Sequence, residues 1–202
     1  MTFNPKKLLS NYFKKKKAFG IITDILFVVI VLLLIIPATR KDTSAFFIRM
    51  ISFPPSTLDA NEQFTLNEQT MNWVVYDLQG NKISFEDLND KPVFLNIWAT
   101  WCPPCIAELP SIQELYEDYG DKVNFVLITS EDIQKVQKFA AEHEYNELPF
   151  YLSSSVPQNF STNSIPATFI ISKNGRVVVN KNGAARWNSG TSRDLLDKLI
   201  NE

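Results

Sequence analysis

The sequence predicts an α/β domain, a mixed sheet covered by helices, behind one N-terminal transmembrane helix. Three observations carry that prediction. An apolar run without a charge occupies residues 25–36. The segment VFLNIWA at 93–99 is almost wholly apolar, as a central strand buried on both faces must be. Strand-like and helix-like segments then alternate and finish in a hairpin and a terminal helix, the order that builds a sheet with helical cover. With 202 residues and 45% hydrophobic content, the chain has enough material for one core plus an appendage.

From the N-terminus, residues 1–17 hold six lysines and no acid, and read as a cytoplasmic basic segment. Residues 18–38 carry a single charge, Asp24, which is placed to snorkel to the interface. At 1.5 Å per residue, 21 residues span about 31 Å, the thickness of a bilayer core. The lysine bias keeps the N-terminus inside and puts everything after residue 38 on the extracytoplasmic side of the cell membrane. A cleaved export signal is the competing reading, and it exports the domain equally well. Residues 39–70 mix charge, a Phe-Pro-Pro step and polar runs without a sustained period, and read as a linker. Phe46, Phe47, Ile48, Met50, Ile51 and Phe53 are more apolar than a linker needs. Two readings stay open for them, contact with the membrane surface and packing on the domain.

The domain proper is expected over 71–202. Strand-like stretches at 73–77 and 83–85, joined by Gln79-Gly80-Asn81-Lys82, predict an N-terminal β-hairpin. A strand at 93–99, a helix at 103–119, a strand at 123–129, a helix at 131–145 and a strand at 149–153 follow. Strands at 167–172 and 177–181 flank a Lys173-Asn174-Gly175-Arg176 turn, and a helix near 191–201 closes the chain.

Charge excludes one class of partner. Residues 60–202 hold 19 acidic against 11 basic side chains, so the domain repels phosphate backbones and no nucleic acid is expected. Two cysteines, Cys102 and Cys105, are too few for a multi-bridge scaffold and are read as a reactive or ligating pair. Structural zinc requires four ligands, whereas the chain adds only His143 to the pair, a residue expected on the surface among Glu142 and Glu144. No metal site and no cofactor are therefore predicted.

The chemistry is concentrated in WATWCPPC at 98–105, which places the cysteines between the end of a buried strand and the start of a helix. Unpaired N–H groups and about half a positive charge at a helix N-terminus stabilise a thiolate, lowering a cysteine pKa from about 8.5 toward neutrality or below. Cys102 is thus the expected nucleophile. Cys105, one turn on, can resolve a mixed disulfide. Pro103 and Pro104 fit the first turn, where a missing N–H costs no helical bond. Trp98 belongs to the strand and to the core, while Trp101 is placed to offer an apolar contact beside the thiols.

WATWCPPC resembles the active site of thioredoxin-fold proteins, and most closely the TlpA/ResA-like family of membrane-anchored thiol–disulfide oxidoreductases. The resemblance covers roughly residues 70–202 and includes Pro110, similar to that family's helix-kinking proline, and S-I-P-A-T at 164–168, similar to its cis-proline loop. It implies a thioredoxin-like fold, a Cys102–Cys105 redox-active disulfide, and a docking groove in which the backbone of Ile165, beside Pro166, pairs with an extended substrate. Asn96 departs from thioredoxin, which carries a buried aspartate there, and cannot accept a proton. Glu108 matches the acid of the family's C-x-x-C-x-x-E pattern and could take the proton of Cys105; a glutamate favoured simply by the helix dipole is the other reading. The resemblance further implies exported protein thiol or disulfide substrates, apocytochrome c among them, and a membrane thiol electron donor. Reductase, oxidase and isomerase would use the same residues, and a metal-binding module is the reading from another class.

Overall fold

The computed structural model describes residues 18–36 and 39–202, without the side chains of residues 18 and 40. The chain divides into two compact units, Met1–Thr43 and Ser44–Glu202. In the first, helix α1 (Ala18–Ile35) is apolar except at Thr23 and Asp24. Its 18 residues give about 27 Å at 1.5 Å per residue. No helix among the described residues is long and apolar enough to cross a membrane. The basic segment 1–17 and the last two positions of the expected span lie outside the described residues.

Residues 39–70, expected as a linker, carry structure. Helix α2 (Arg40–Ile51) enters the second unit, where Ala45 is buried in the core and Ile48 packs against it. Further on, Leu58 N donates to Val178 O at 2.9 Å, and Leu66 N donates to Gly175 O at 2.9 Å. Between them strand β1 (Phe64–Thr65) pairs antiparallel with β8 (Arg176–Asn182). A two-residue strand has no alternation to detect, so its register comes wholly from the partner. Helix α3 (Glu68–Met71) follows, capped by the Asn67 side chain, which accepts from Thr70 N.

The rest follows the predicted order, with ends displaced by up to three residues and β8 longer by one at each end: β2 (Val74–Asp77), β3 (Lys82–Ser84), β4 (Val93–Ile97), α4 (Pro103–Tyr119), β5 (Asn124–Thr129), α5 (Ile133–Glu142), β6 (Phe150–Leu152), β7 (Ala167–Ile171), the strand β8 already given, and α6 (Gly190–Ile200). The helix predicted at 131–145 is shorter, since Glu144 turns to φ 62° and cannot continue it. At the far end of α4, Gly120 is required by space: a Cβ there would stand 2.9 Å from the Tyr116 carbonyl oxygen.

The strands form one mixed sheet in the order β1-β8-β7-β4-β5-β6-β2-β3, with β4 parallel to β5 and antiparallel to β7. All five residues of β4 are buried, as its apolar run predicted. Alternation splits them between two cores. Phe94 joins Trp98, Leu109, Ile112, Leu115 and Leu196 on one face, while Val93, Leu95 and Ile97 join Trp73, Phe85 and Phe160 on the other. Asn96, two residues after Phe94, therefore faces α4 from a fully buried position.

Candidate active site

Parallel β4 and β5 end at the same edge of the sheet, where an open α/β sheet presents its reactive groups. The chain leaves β4, turns with Cys102 N donating to Ala99 O, and enters α4 at Cys102. Cys102 is the N-cap: its Sγ accepts from the backbone N–H of Cys105 at 3.3 Å, and Pro103 and Pro104 occupy the first two helical positions. Cys102 and Cys105 are joined as a disulfide, with 5.3 Å between their Cα atoms. Cys105 is fully buried and Cys102 nearly so, beside Trp101, which is 58% exposed.

The other wall of the site comes from register. Ile97 at the end of β4 pairs with Ala167 at the start of β7, which sets the preceding residues against the head of α4. The Ile165–Pro166 peptide there is cis, and the carbonyl oxygen of Ile165 lies 3.7 Å from Cys102 Sγ. A groove of about 230 Å³ runs alongside, lined by Trp98, Trp101, Glu131, Ser154, Val156 and Ile165. Cys102, Cys105, Trp101, Ile165 and Pro166 thus meet at one edge of the sheet, with Pro103 and Pro104 half-buried beside them.

Glu108, one turn past Cys105, is 2% exposed. Its carboxylate accepts from Asn96 Nδ2 at 2.7 Å, Trp187 Nε1 at 2.9 Å and Ala185 N at 3.2 Å. Burial pushes its pKa up from 4.5 to about 7, and the donors from Trp187, Asn96 and Ala185, with Lys181 further off, hold it from going higher. Asn96 also donates to Thr168 Oγ1 at 2.8 Å, because Thr168 is its cross-strand partner in β7. A group that titrates near neutrality behind a dithiol is equipped for proton transfer.

Two contributors, Trp187 and Glu131, were not singled out from sequence, and a third, Asn96, has a role that was not foreseen. Trp187 lies in a polar loop, where a fully buried tryptophan is unexpected; it is held by Trp187 N donating to Ser111 Oγ at 3.1 Å. Asn96 was read only as a non-acceptor, whereas it acts as a donor. Glu131, just past β5, accepts from Thr100 N at 2.6 Å and from Thr100 Oγ1 at 3.0 Å, clamping the turn that carries Cys102. Its position at the shared end of β4 and β5 was the available signal. His143, expected to be solvated, is half-buried, with its ring 4.2 Å from that of Phe139, because α5 ends there and folds it back.

A thioredoxin-like sheet with a disulfide at the head of its first core helix defines a thiol–disulfide oxidoreductase. Residues 57–199 match the Redoxin family, and the chain belongs to that family, in its ResA-like thioredoxin-fold part. It is 34% identical over 121 residues to the thiol-disulfide oxidoreductase ResA of Bacillus cereus, covering 58% of this chain and 69% of that protein. It is 30% identical over 112 residues to the thioredoxin-like protein YneN of Bacillus subtilis, covering 54% and 66%. Among solved structures, a secreted Mycobacterium tuberculosis disulfide oxidoreductase superposes with a TM-score of 0.53 at 24% identity, over 67% of this chain and 98% of that one. StoA from Bacillus subtilis gives 0.50 at 23%, over 64% and 96%. These two structures share the fold.

Proposed function

We propose that this chain is a membrane-anchored, extracytoplasmic protein-disulfide reductase. The observation that carries the exchange chemistry is Cys102 as N-cap of α4, its sulfur already accepting the Cys105 N–H, and the likeness to the ResA-type oxidoreductases favours the reducing direction. When the pair is reduced, the same N–H and the helix dipole stabilise a Cys102 thiolate. That thiolate attacks a substrate disulfide, forming a mixed disulfide and releasing one substrate thiolate. Cys105 then attacks Cys102 of the mixed disulfide, closing the Cys102–Cys105 bond and releasing the second thiolate. Two electrons have passed to the substrate. Glu108 takes the proton Cys105 must lose, and both substrate thiolates are reprotonated from solvent. A membrane dithiol donor restores the pair, and no cofactor enters the cycle.

Trp101, Pro103, Pro104, Ile165 and Pro166 form the surface that receives the substrate chain, which lies extended along Ile165. Exported proteins are the substrates, with apocytochrome c a fitting client because its haem-attachment cysteines must be reduced. The apolar sequence 18–38, of which α1 is the greater part, supplies the anchor, and its basic flank holds the N-terminus in the cytoplasm.

The test is the reduction potential of the pair, measured by equilibration with dithiol buffers. A value at or below about −220 mV supports a reductant, whereas one near −120 mV makes the protein an oxidant and overturns the proposal. Cys105→Ser must also accumulate mixed disulfides in the cell envelope, and Cys102→Ser must not.

A further inference from the structure

Within Ser44–Glu202, eight large apolar side chains are exposed, and five of them, Phe46, Phe47, Met50, Ile51 and Phe53, fall in one stretch of eight residues. Trp101 and Val156 line the groove beside the dithiol. At about 100° per residue, Ala45 and Ile48 of α2 turn inward, and Phe46, Met50, Phe47 and Ile51 sweep about 140° of the opposite side. Helix α2 is therefore anchored to the domain by its inner face and leaves a wide apolar face outward, which ordinary surfaces avoid.

Arg49 stands at the border between these faces. With Arg186, Ser52 and Asn188 it lines a cleft of about 120 Å³ whose lining residues include no acid. Both arginines are exposed, and the ion pairs found among the described residues use neither of them. Arg186 is tied to the apolar stretch through its backbone, its N–H donating to Phe53 O at 3.1 Å. An apolar face bordered by exposed guanidinium groups complements one kind of surface, acyl chains beneath anionic phosphates. Chain length agrees. Nine positions separate Ile35 from Ser44, at most about 30 Å of extended chain, so a domain behind a membrane anchor starts within reach of the lipid headgroups.

We infer that Phe46, Phe47, Met50, Ile51 and Phe53, with Arg49 and Arg186, form a face that seats the domain on a leaflet of anionic phospholipid. The inference rests on the anchored reading above, and adds that the domain does not hang free from its anchor.

The experiment uses the full chain in vesicles of phosphatidylglycerol and phosphatidylethanolamine, with the photocrosslinker p-benzoylphenylalanine placed singly at Phe46, Phe53, Phe27 or Lys138. Phe27 reports the anchor, and Lys138, on α5, is the solvent reference. Lipid adducts are expected from positions 46, 53 and 27, and not from 138. Arg49→Glu combined with Arg186→Glu should lower the adduct yield at 46 and 53 about threefold or more, as should vesicles of phosphatidylcholine alone. The yield at 27 and the rate of reduction of a small disulfide should not change. Adducts at 27 with none at 46 or 53 overturn the inference and leave the anchor standing, as do adducts at 46 or 53 to a second copy of the chain. Adducts at 46 and 53 with none at 27 overturn the anchor and uphold the face. Yields at 46 and 53 that ignore both lipid charge and the paired substitutions remove the arginines from it.

Discussion

Asn96 gives its amide N–H groups to Glu108 and to Thr168, and its own Oδ1 is buried without a partner among the described residues. The carboxylate of Glu108 is thus met only by donors, which suits its ionised form. Once protonated, it needs an acceptor, and rotation of the Asn96 amide would turn Oδ1 toward the new O–H. Replacing Asn96 with Asp sets a second acid within hydrogen-bond distance, and two such acids share one proton. The oxidised Asn96→Asp protein should show one carboxyl titrating above the wild-type value of about 7 and another well below it, measured by NMR of labelled side-chain carboxyls.

Trp187 is the foremost of the groups that lower the Glu108 pKa. Trp187→Phe removes its N–H and keeps most of its packing against Phe94. The Glu108 titration should move up, and the pH midpoint of disulfide exchange should move with it. A midpoint that stays in place would separate Glu108 from the proton step.

Glu108 also links stability to pH. Its folded pKa, about 7, lies above the unfolded 4.5, so the contribution is fully present below pH 4.5, is lost as pH rises toward 7, and is flat above. The separation corresponds to about 3 kcal/mol. Glu108→Gln removes that slope: denaturant titrations of the oxidised proteins at pH 4.5 and 8 should show the variant gaining on wild type by roughly this amount as pH rises. Its exchange rate should fall, and should lose the inflection near 7.

Glu131→Ala removes both acceptors of Thr100. Hydrogen bonds to a charged group contribute about 1.5–3 kcal/mol each when sheltered, and for this half-exposed pair a loss of about 1–2 kcal/mol in denaturant titration is expected. Glu131→Gln keeps one acceptor and should lose about half as much.

Trp101→Ala alters an exposed side chain, so stability should change by no more than about 0.5 kcal/mol. Reduction of a protein disulfide should show a raised KM, and reduction of a small-molecule disulfide should not. An equal effect on both would make Trp101 part of the dithiol's own chemistry.

Much of this arrangement was legible in the residues. Val93, Phe94 and Leu95 could only be a central strand, and Pro103 and Pro104 after Cys102 could only open a helix, so the dithiol and its setting followed from local pattern. Trp187 and Asn96 were not legible as partners of Glu108, since Asn96 comes from β4, Glu108 from α4 and Trp187 from the loop before α6, and the three meet only when the sheet is assembled. Strand β1 escaped because two residues carry no period. Helix α2 was ambiguous for a physical reason: its apolar side chains divide, Ala45 and Ile48 packing inward while Phe46 and Met50 face out.

The pairing of β1 with β8 has a consequence for how the molecule is made. Gln63 and Arg176 bond across 113 positions, and Phe64 sits beside Val177. Contacts so distant in sequence are late and slow to form, since the intervening loop must close before they repay it. As the chain emerges N-terminus first, residues 58–66 stay unpaired until the last hairpin has appeared. The part of the domain made earliest is therefore among the last to be fastened, and a chain cut short before residue 176 would carry its active-site helix without that clasp.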